Sequence, residues 1–572
     1  MKITRRSIPE YGPWPANVSP VLQRVFASRG VNNPEQAELK LANLLSPDQL
    51  SGMDKAVDLL LCAIQTQKHI VIVGDFDCDG ATGTAVAMRG LKMLGAEQLS
   101  YQVPHRILHG YGLSPALVEH IVEMKPELIV TVDNGIACHA GVAAAKAHGW
   151  QVLITDHHLP GEKLPLADAI VNPNLNGDAF PSKALSGVGV MFYLLLALRK
   201  RMRNLGIFDV LMQPEPDLSS LLDLVAVGTV ADLVPLDYNN RLLVSAGIKR
   251  FRKKQCQAGL QALAEISGRD ITQLVASDIG FAIGPRLNAA GRLEDMSIGI
   301  ECLLTDDKTR AYELATILNG INVERRGLQQ QMVDDADALV DVTTLEQQSQ
   351  SAAWSFYDQS WHPGVVGLVA SKLKDRLHRP VVAFAPADDG SNILRGSARS
   401  IPGFHIRDAL AEVDVLNPGL IDRFGGHAMA AGLSLQKNNL EAFRSAFNRV
   451  AEKRLSIEIL QAECLSDGEL LQHEFSRELA EDLRLAGPWG QGFPEPVFDN
   501  IFGVAGWKIL GERHIKYSLR LDGTDFTLSA IHFGGYAGVE PAERLHVAYQ
   551  LELDDFRGRR DIQLLIRHSF PI

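Results

Sequence analysis

Closely paired cysteines are missing from this chain. Its six, Cys62, Cys78, Cys138, Cys256, Cys302 and Cys464, lie far apart with no CxxC pair, which excludes a zinc clamp and gives no disulfide framework. The thiols are expected to be reduced and mostly structural. Long apolar runs are missing too. The longest, Gly187 to Leu198, is too short to span a bilayer and predicts a buried helix. Near the N-terminus, Arg5 and Arg6 are followed by Pro9, Pro13 and Pro15, where a signal peptide needs an unbroken apolar stretch. No membrane association is expected, and the location expected is cytoplasmic. No tandem repeat is visible.

An excess of positive charge is also lacking: 56 Lys and Arg stand against 68 Asp and Glu, a net charge of −12. Bulk charge therefore argues against a nucleic-acid partner, but phosphate binding depends on local potential. Basic residues do cluster, at Lys249 through Lys254, at Arg395 through Arg407, at Arg513 through Lys516, and at Arg557 through Arg560. Any one such run is more often a solvated face than a binding site.

What is present is a folded chain of several domains. At 572 residues it exceeds what one core organises, and 46% hydrophobic with 22% charged residues is the composition of a globular protein. From about 50 to 235, short continuous apolar runs alternate with Ala-rich helical stretches. His69–Val73, Leu128–Val132 and Gln151–Thr155 predict buried parallel strands, with crossover helices at Thr84–Leu94 and Cys138–His148. From about 305 to 345 the pattern is that of a long polar helix bridging two domains. A second α/β unit follows from about 352 to 452, with a helix from Gly364 to Arg376 and a strand from Pro380 to Phe384. From about 465, alternation at Lys516–Leu521, Phe526–Ile531 and Val547–Leu553 predicts a small β-barrel of the OB kind. The fold class expected is α/β: a parallel-sheet domain joined by a long helix to a second α/β domain, plus a C-terminal OB-like β-barrel.

The chemistry gathers at the strand ends. Val73 is followed by Gly74-Asp75-Phe76-Asp77-Cys78-Asp79-Gly80, Val132 by Asp133-Asn134-Gly135, and Thr155 by Asp156-His157-His158. Ligands of open parallel sheets bind at these carboxyl ends. A fourth acid, Asp232, follows a helical segment. Carboxylates crowded into one site stay ionised only if cations neutralise them. Oxygen and imidazole ligands without thiolate point to Mn²⁺ or Mg²⁺, and two ions roughly 3.5–4 Å apart are the usual device for in-line attack on phosphorus.

Each piece has a plainer alternative. Asp75-x-Asp77-x-Asp79-Gly80 matches the first half of an EF-hand loop, but Val86 stands where the bidentate Glu belongs. Gly74 to Gly80 is no phosphate loop, since no Gly-Lys-Ser/Thr follows. Asp133-Asn134-Gly135 alone reads as a turn, and Asp156 alone as a helix cap. Their recurrence at successive strand ends is what structure alone does not explain.

In this order the four groups resemble the motifs of the DHH phosphoesterase superfamily, which holds RecJ nucleases, manganese pyrophosphatases and small phosphodiesterases. Gly425-Gly426-His427 with Ala430-Ala431-Gly432 resembles the glycine-rich motif of the DHH-associated C-terminal domain. Gly284 through Arg292 and Gly487 through Pro496 narrow the resemblance to the RecJ group. It covers nearly the whole chain, with mild departures at Leu287, Trp489 and Phe493.

The resemblance implies that Asp77, Asp79, Asp133, His157 and Asp232 ligate two Mn²⁺ or Mg²⁺ ions, with Asp133 bridging. Asp75 and Asp156 orient that shell, and His158 contacts the scissile phosphate or leaving group. It implies that Arg106, Tyr111, Ser397 and Arg399 read the 5′ end, with Arg286 or Arg292 near the backbone. His427 is either a phosphate contact or part of a tight turn. The segment division implied is 1–49, an N-terminal segment; 50–265, the DHH domain; 266–345, a connecting helical region; 346–455, the DHH-associated domain; and 456–572, the OB-like domain. The activity implied is metal-dependent 5′-to-3′ hydrolysis of single-stranded DNA by a monomer, serving recombination and mismatch repair, with single-stranded-DNA-binding protein and a RecQ-type helicase as partners. The competing expectations are a DHH enzyme acting on pyrophosphate or other small phosphate substrates, and a non-catalytic replication accessory protein. The first needs no OB-like domain, and the second predicts eroded ligands, whereas all are present.

Overall fold

A computed structural model describes residues 2–106, 108–341, 351–388, 390–456, 458–511, 513–536, 538–554 and 561–572. The basic run Arg557–Arg560 lies outside the described residues. The chain divides into two compact units, one of Arg5–Gly320 with Leu465–Ile572, the other of Met1–Thr4 with Ile321–Cys464. The division falls inside one 34-residue helix, Lys308–Asp341, where the sequence predicts a long helix.

The larger unit is built on a five-stranded parallel sheet in the spatial order Leu99–Gln102, Ile70–Val73, Leu128–Val132, Gln151–Thr155, Ala169–Val171. Both faces are apolar. Ile70, Ile72, Leu128, Val130 and Leu153 point into one core, while Val71, Val73, Ile129, Val152 and Ile154 point into another. That explains why the predicted strands read as unbroken apolar runs rather than alternating ones. The two strands that sequence patterning misses are the sheet's short edges: Leu99–Gln102 is only partly buried throughout, and Ala169–Val171 is three residues long. The chain leaves Ile70–Val73 towards one edge and returns to add Leu128–Val132 on its other side. A topological switch point therefore lies between these two strands, where an open sheet forms its crevice.

The same unit contains the barrel. Phe498–Leu510, His514–Leu521, Thr527–His532, Asp561–Pro571 and Arg544–Asp554 close on one another, antiparallel except where Thr527–His532 meets Asp561–Pro571. Ile515, Tyr517, Leu519 and Leu521 fill its interior in alternation, the pattern that made this strand legible. Phe498–Leu510 was not legible, because a register shift between Val504 and Gly506 breaks the alternation.

The N-terminal segment packs on the entry to this barrel. Trp14 stacks on Phe26 with ring centres 5.6 Å apart, and Phe26 in turn meets Trp489 and Phe493. Arg29 and Asp467 form a buried bidentate pair at 2.7 and 2.9 Å. Trp489 and Phe493, the departures noted in the sequence, are thus core residues.

The smaller unit holds a mixed sheet in the order Arg423–Gly426, Ala430–Gln436, Ile393–Arg399, Val381–Pro386, Trp354–Tyr357, parallel only at its last pair. Helices Val366–Leu377, Ile406–Leu416 and Leu440–Arg454 belong to it. Its core is centred on Phe384, Phe443 and Phe447. Among the described residues no helix is long and apolar enough to cross a membrane.

Candidate active site

The acidic loop begins directly after Val73. The patterning that starts a helix at Thr84 is corrected by the structure: the helix runs Cys78–Met93, because Asp77 caps it by accepting from the Gly80 amide at 3.0 Å. Asp79 therefore sits in a first helical turn. Its two carboxylate oxygens accept from the Gly187 amide at 2.6 Å and the Val188 amide at 2.9 Å. These amides open the helix Gly187–Asn204, capped by Ser186, whose positive end favours a carboxylate.

Asp133 follows its strand in the left-handed region, at φ 62°. The turn is locked from within: the Asn134 side-chain amide donates to the Val73 and Val132 carbonyls at 3.0 and 2.9 Å, and its oxygen accepts from the Leu113 amide. Gly187 fits against this turn so closely that a Cβ there would lie 2.4 Å from the Asp133 Cβ. Asp156 accepts from the amides of Ile136, His157 and His158 and from His158 Nδ1, the last at 2.8 Å. Its carboxylate is thus engaged in fixing the two histidines. Asp232 ends the helix Leu222–Ala231.

These elements converge. His157 Nε2 lies 3.0 Å from Asp133 Oδ1, 3.6 Å from Asp232 and 4.0 Å from Asp79. Three neighbouring groups have ligand atoms within 4.8 Å of one another: Asp79, His157 and Asp232; Asp75, Asp77 and Asp133; and Asp133, His157 and His158. Asp133 belongs to two of them, and His157 links it to the third. Asp75 Oδ1, Asp133 Oδ1 and His157 Nε2 are buried without a hydrogen-bond partner, a costly arrangement unless a cation satisfies them.

The electrostatics agree. Burial, then the charge of Asp77, raises Asp75 well above the ordinary carboxylate range and pushes Asp79 up to about 7. Burial and Asp79 raise Asp133 and Asp232 as well. Burial and the neighbouring His158 bring His157 down to about 4, which keeps its ring neutral and able to ligate. Burial also opposes a charged His158, but the hydrogen bond and charge of Asp156 outweigh it and the net direction is up. The donor set of carboxylates and imidazole fits Mn²⁺ or Mg²⁺.

Around this centre, Tyr111 donates its hydroxyl to the Asp133 carbonyl at 3.0 Å and stands edge-on to His158. Arg106 lies over the Phe76 ring at 3.9 Å and donates to the Gly291 carbonyl, facing Asp75 and Asp77. The helix Gly284–Leu293 buttresses the acidic loop: Asn288 accepts from the Cys78 amide at 2.9 Å, and a Cβ on Gly291 would meet the Phe76 carbonyl at 1.7 Å. Arg286 in that helix donates to Ala282 and Asn319; Arg292, half-buried, lies in its last turn.

Ser397 and Arg399 lie in the smaller unit on the strand Ile393–Arg399, joined by an Arg399–Ser397 hydrogen bond of 2.8 Å. Gly367, in the first turn of the helix Val366–Leu377, comes so near that a Cβ would lie 2.9 Å from the Arg399 guanidinium. Burial lowers Arg399. His427 is exposed in the turn between Arg423–Gly426 and Ala430–Gln436, its amide donating to the Ala430 carbonyl.

Sequence patterning missed three supports. The Gly187 and Val188 amides were hidden inside an apolar run whose cue was Ser186 before Gly187. Asn134 reads as a turn residue, and Asn288, inside the Gly284 to Arg292 stretch, has no role legible in the sequence until the fold brings it to Cys78.

Comparison with known proteins agrees with this architecture. Residues 69–229 match the family model described as DHH family, N-terminal domain; 349–453 match the DHHA1 domain; and 466–568 match the RecJ OB domain. The single-stranded-DNA-specific exonuclease RecJ of Salmonella typhimurium is 48% identical over 576 residues, spanning 100% of this chain and 99% of the relative. That of Escherichia coli is 46% identical over 575 residues, again 100% and 99%. The crystal structure of RecJ in complex with Mn²⁺ from Thermus thermophilus is 30% identical with a TM-score of 0.79, covering 96% of this chain and 75% of that one. With the fold, the convergent acids and this full-length similarity together, the chain belongs to the RecJ family of DHH proteins.

Proposed function

We propose that the chain is a single-stranded-DNA-specific exonuclease that releases 5′ mononucleotides by two-metal-ion hydrolysis. The observation that carries this reading is the convergence of Asp75, Asp77, Asp79, Asp133, His157 and Asp232 at the switch point of the parallel sheet, with partnerless buried ligand atoms, in a chain full-length similar to proteins of that name.

Asp77, Asp79, Asp133, His157 and Asp232 would hold two Mn²⁺ or Mg²⁺ ions, with Asp75 at the edge of the same group. When bound, such ions supply charge for the phosphoryl oxygens and an activated water at neutral pH. His158, oriented through Nδ1 by Asp156 and biased towards its protonated form, donates a proton to the leaving oxygen. Ser397 and Arg399 offer a hydroxyl and a guanidinium to a terminal phosphate, Arg106 and Tyr111 flank the acids, Arg286 or Arg292 lies near the strand's backbone, and His427 is either a phosphate contact or part of its tight turn. The barrel holds the strand without sequence preference. The five-segment division of the chain, its action as a monomer in the cytoplasm, and its cooperation with single-stranded-DNA-binding protein and a RecQ-type helicase are part of the same proposal.

The test is product analysis with 5′-labelled and 3′-labelled single strands, duplex DNA and pyrophosphate, with and without Mn²⁺. Labelled mononucleotide appearing first from the 5′ end of single strands supports the reading. Release from the 3′ end, or hydrolysis of pyrophosphate in preference to DNA, overturns it.

A further inference from the structure

The helix carrying Asn288 and Gly291 is preceded by a π-helical turn, Ile279–Ile283. A π turn places one extra residue in the ring and re-aims side chains, and such turns concentrate at functional sites. Here Ile279, Ala282 and Ile283 are buried, while Phe281 is 82% exposed, the most exposed aromatic side chain among the described residues. Folding gains nothing from a phenyl ring held in water.

Its position is specific. Gly280 and Gly284, on either side of it, lie against Val230 and Ala231, the last turn of the helix that ends at Asp232. Leu233, the residue after Asp232, has φ 60° and is 69% exposed. On the other side, the carbonyl of Ala282 accepts from Arg286 Nη1 at 2.6 Å, and Arg286 Nε donates to Asn319 at 3.0 Å. Phe281 and Arg286 lie five positions apart, the first in the π turn and the second in the first turns of the α-helix that continues it. Proteins hold single-stranded nucleic acid by stacking aromatic rings on bases and placing positive charge along the backbone, and this one helical segment carries an exposed ring and an arginine.

We propose that Phe281 is a strand-positioning residue: its ring stacks on an unpaired base of the substrate at the rim of the acidic centre, with Leu233 as the neighbouring apolar contact. This rests on the proposed nuclease activity. A flat π face accepts any base, so the contact fixes the strand without reading sequence, and a base held in a duplex cannot present its face to the ring.

The experiment combines Phe281→Ala and Phe281→Trp with an abasic scan. KM and kcat are measured on single-stranded oligonucleotides carrying one abasic site at successive positions, and 2-aminopurine fluorescence is read at the same positions. Phe281→Ala is expected to raise KM about 5-fold to 150-fold, the span of one lost base stack, while Phe281→Trp stays near wild type. At one position the abasic site should raise KM for the wild type but add nothing in Phe281→Ala, and 2-aminopurine there should lose its quenching in the alanine variant. A KM within about twofold of wild type, or a fall in kcat with no abasic position coupled to Phe281, overturns the proposal and leaves the ring a structural feature. If the wild type does not degrade single strands at all, the nuclease reading has failed instead.

Discussion

Gly187 and Asp133 occupy space that cannot hold one more carbon atom: a Cβ on Gly187 would come within 2.4 Å of the Asp133 Cβ and 2.7 Å of its Oδ1. The same glycine gives its amide to Asp79. One backbone position therefore sets the spacing between two of the acids on which the site depends.

Gly187→Ala should displace Asp133 while leaving every ionisable group in place. Supports of metal ligands typically cost 10–100-fold in affinity or activity when lost, and a loss of about that size in Mn²⁺ affinity is expected, read by calorimetric titration, with circular dichroism unchanged. Unaltered Mn²⁺ affinity would mean that the turn yields without moving the carboxylate.

Asp133→Asn should separate function from stability. It should abolish nuclease activity in Mn²⁺, because the carboxylate shared by two ligand groups is gone. In chelator it should raise Tm, because a buried anion facing Asp79, Asp77 and Asp232 is removed. Turnover above a few hundredths of wild type, or a lower metal-free Tm, would contradict the assignment.

The pH dependence of the metal-free protein follows from the raised carboxylates. Asp75, Asp79, Asp133 and Asp232 bind protons more tightly folded than unfolded, and Asp79 is pushed up to about 7. Their contribution to stability is thus complete below the unfolded value of roughly 3.9 and is lost as pH rises through the folded values. Between pH roughly 4 and about 7, Tm in chelator should fall more steeply for the wild type than for Asp133→Asn. Excess Mn²⁺ should remove the difference in slope by favouring the ionised forms. Parallel slopes in chelator would refute the linkage.

Asn288→Ala should loosen the acidic loop from behind. Its oxygen accepts from the Cys78 amide at 2.9 Å, and leaving such a donor unmet costs roughly 1–3 kcal/mol. A lower Tm with a fall in kcat larger than any change in KM is the expected pattern. A variant as stable and as active as wild type would assign the brace elsewhere.

Arg399→Ala should act on the strand end rather than on hydrolysis. A charge-assisted contact worth roughly 1.5–3 kcal/mol corresponds to about one to two orders of magnitude in rate. That loss is expected on 5′-phosphorylated oligonucleotides, with much less on 5′-hydroxyl ones. Equal slowing of both would make Arg399 a general backbone contact.

The sequence by itself determined the sheet and its chemistry. Runs such as Ile70–Val73 are apolar at every position because both faces are buried, and the carboxyl end of a parallel strand is where the chain turns into the crevice, so Asp75, Asp133 and Asp156 were legible as one edge. Alternation exposed the strand His514–Leu521 for the same local reason. Only the tertiary structure decided what lies behind and around these acids. The Gly187 amide, the Asn288 oxygen and the close-fitting Gly291 meet the acidic loop from segments more than a hundred residues away along the chain, and no local pattern encodes such distances. The helix start at Asp77, the broken alternation of Phe498–Leu510, and the π turn that turns Phe281 outward are likewise set by packing partners. Propensity acts over a few residues, whereas the crowding that excludes a Cβ at Gly187 exists only once two distant turns have met.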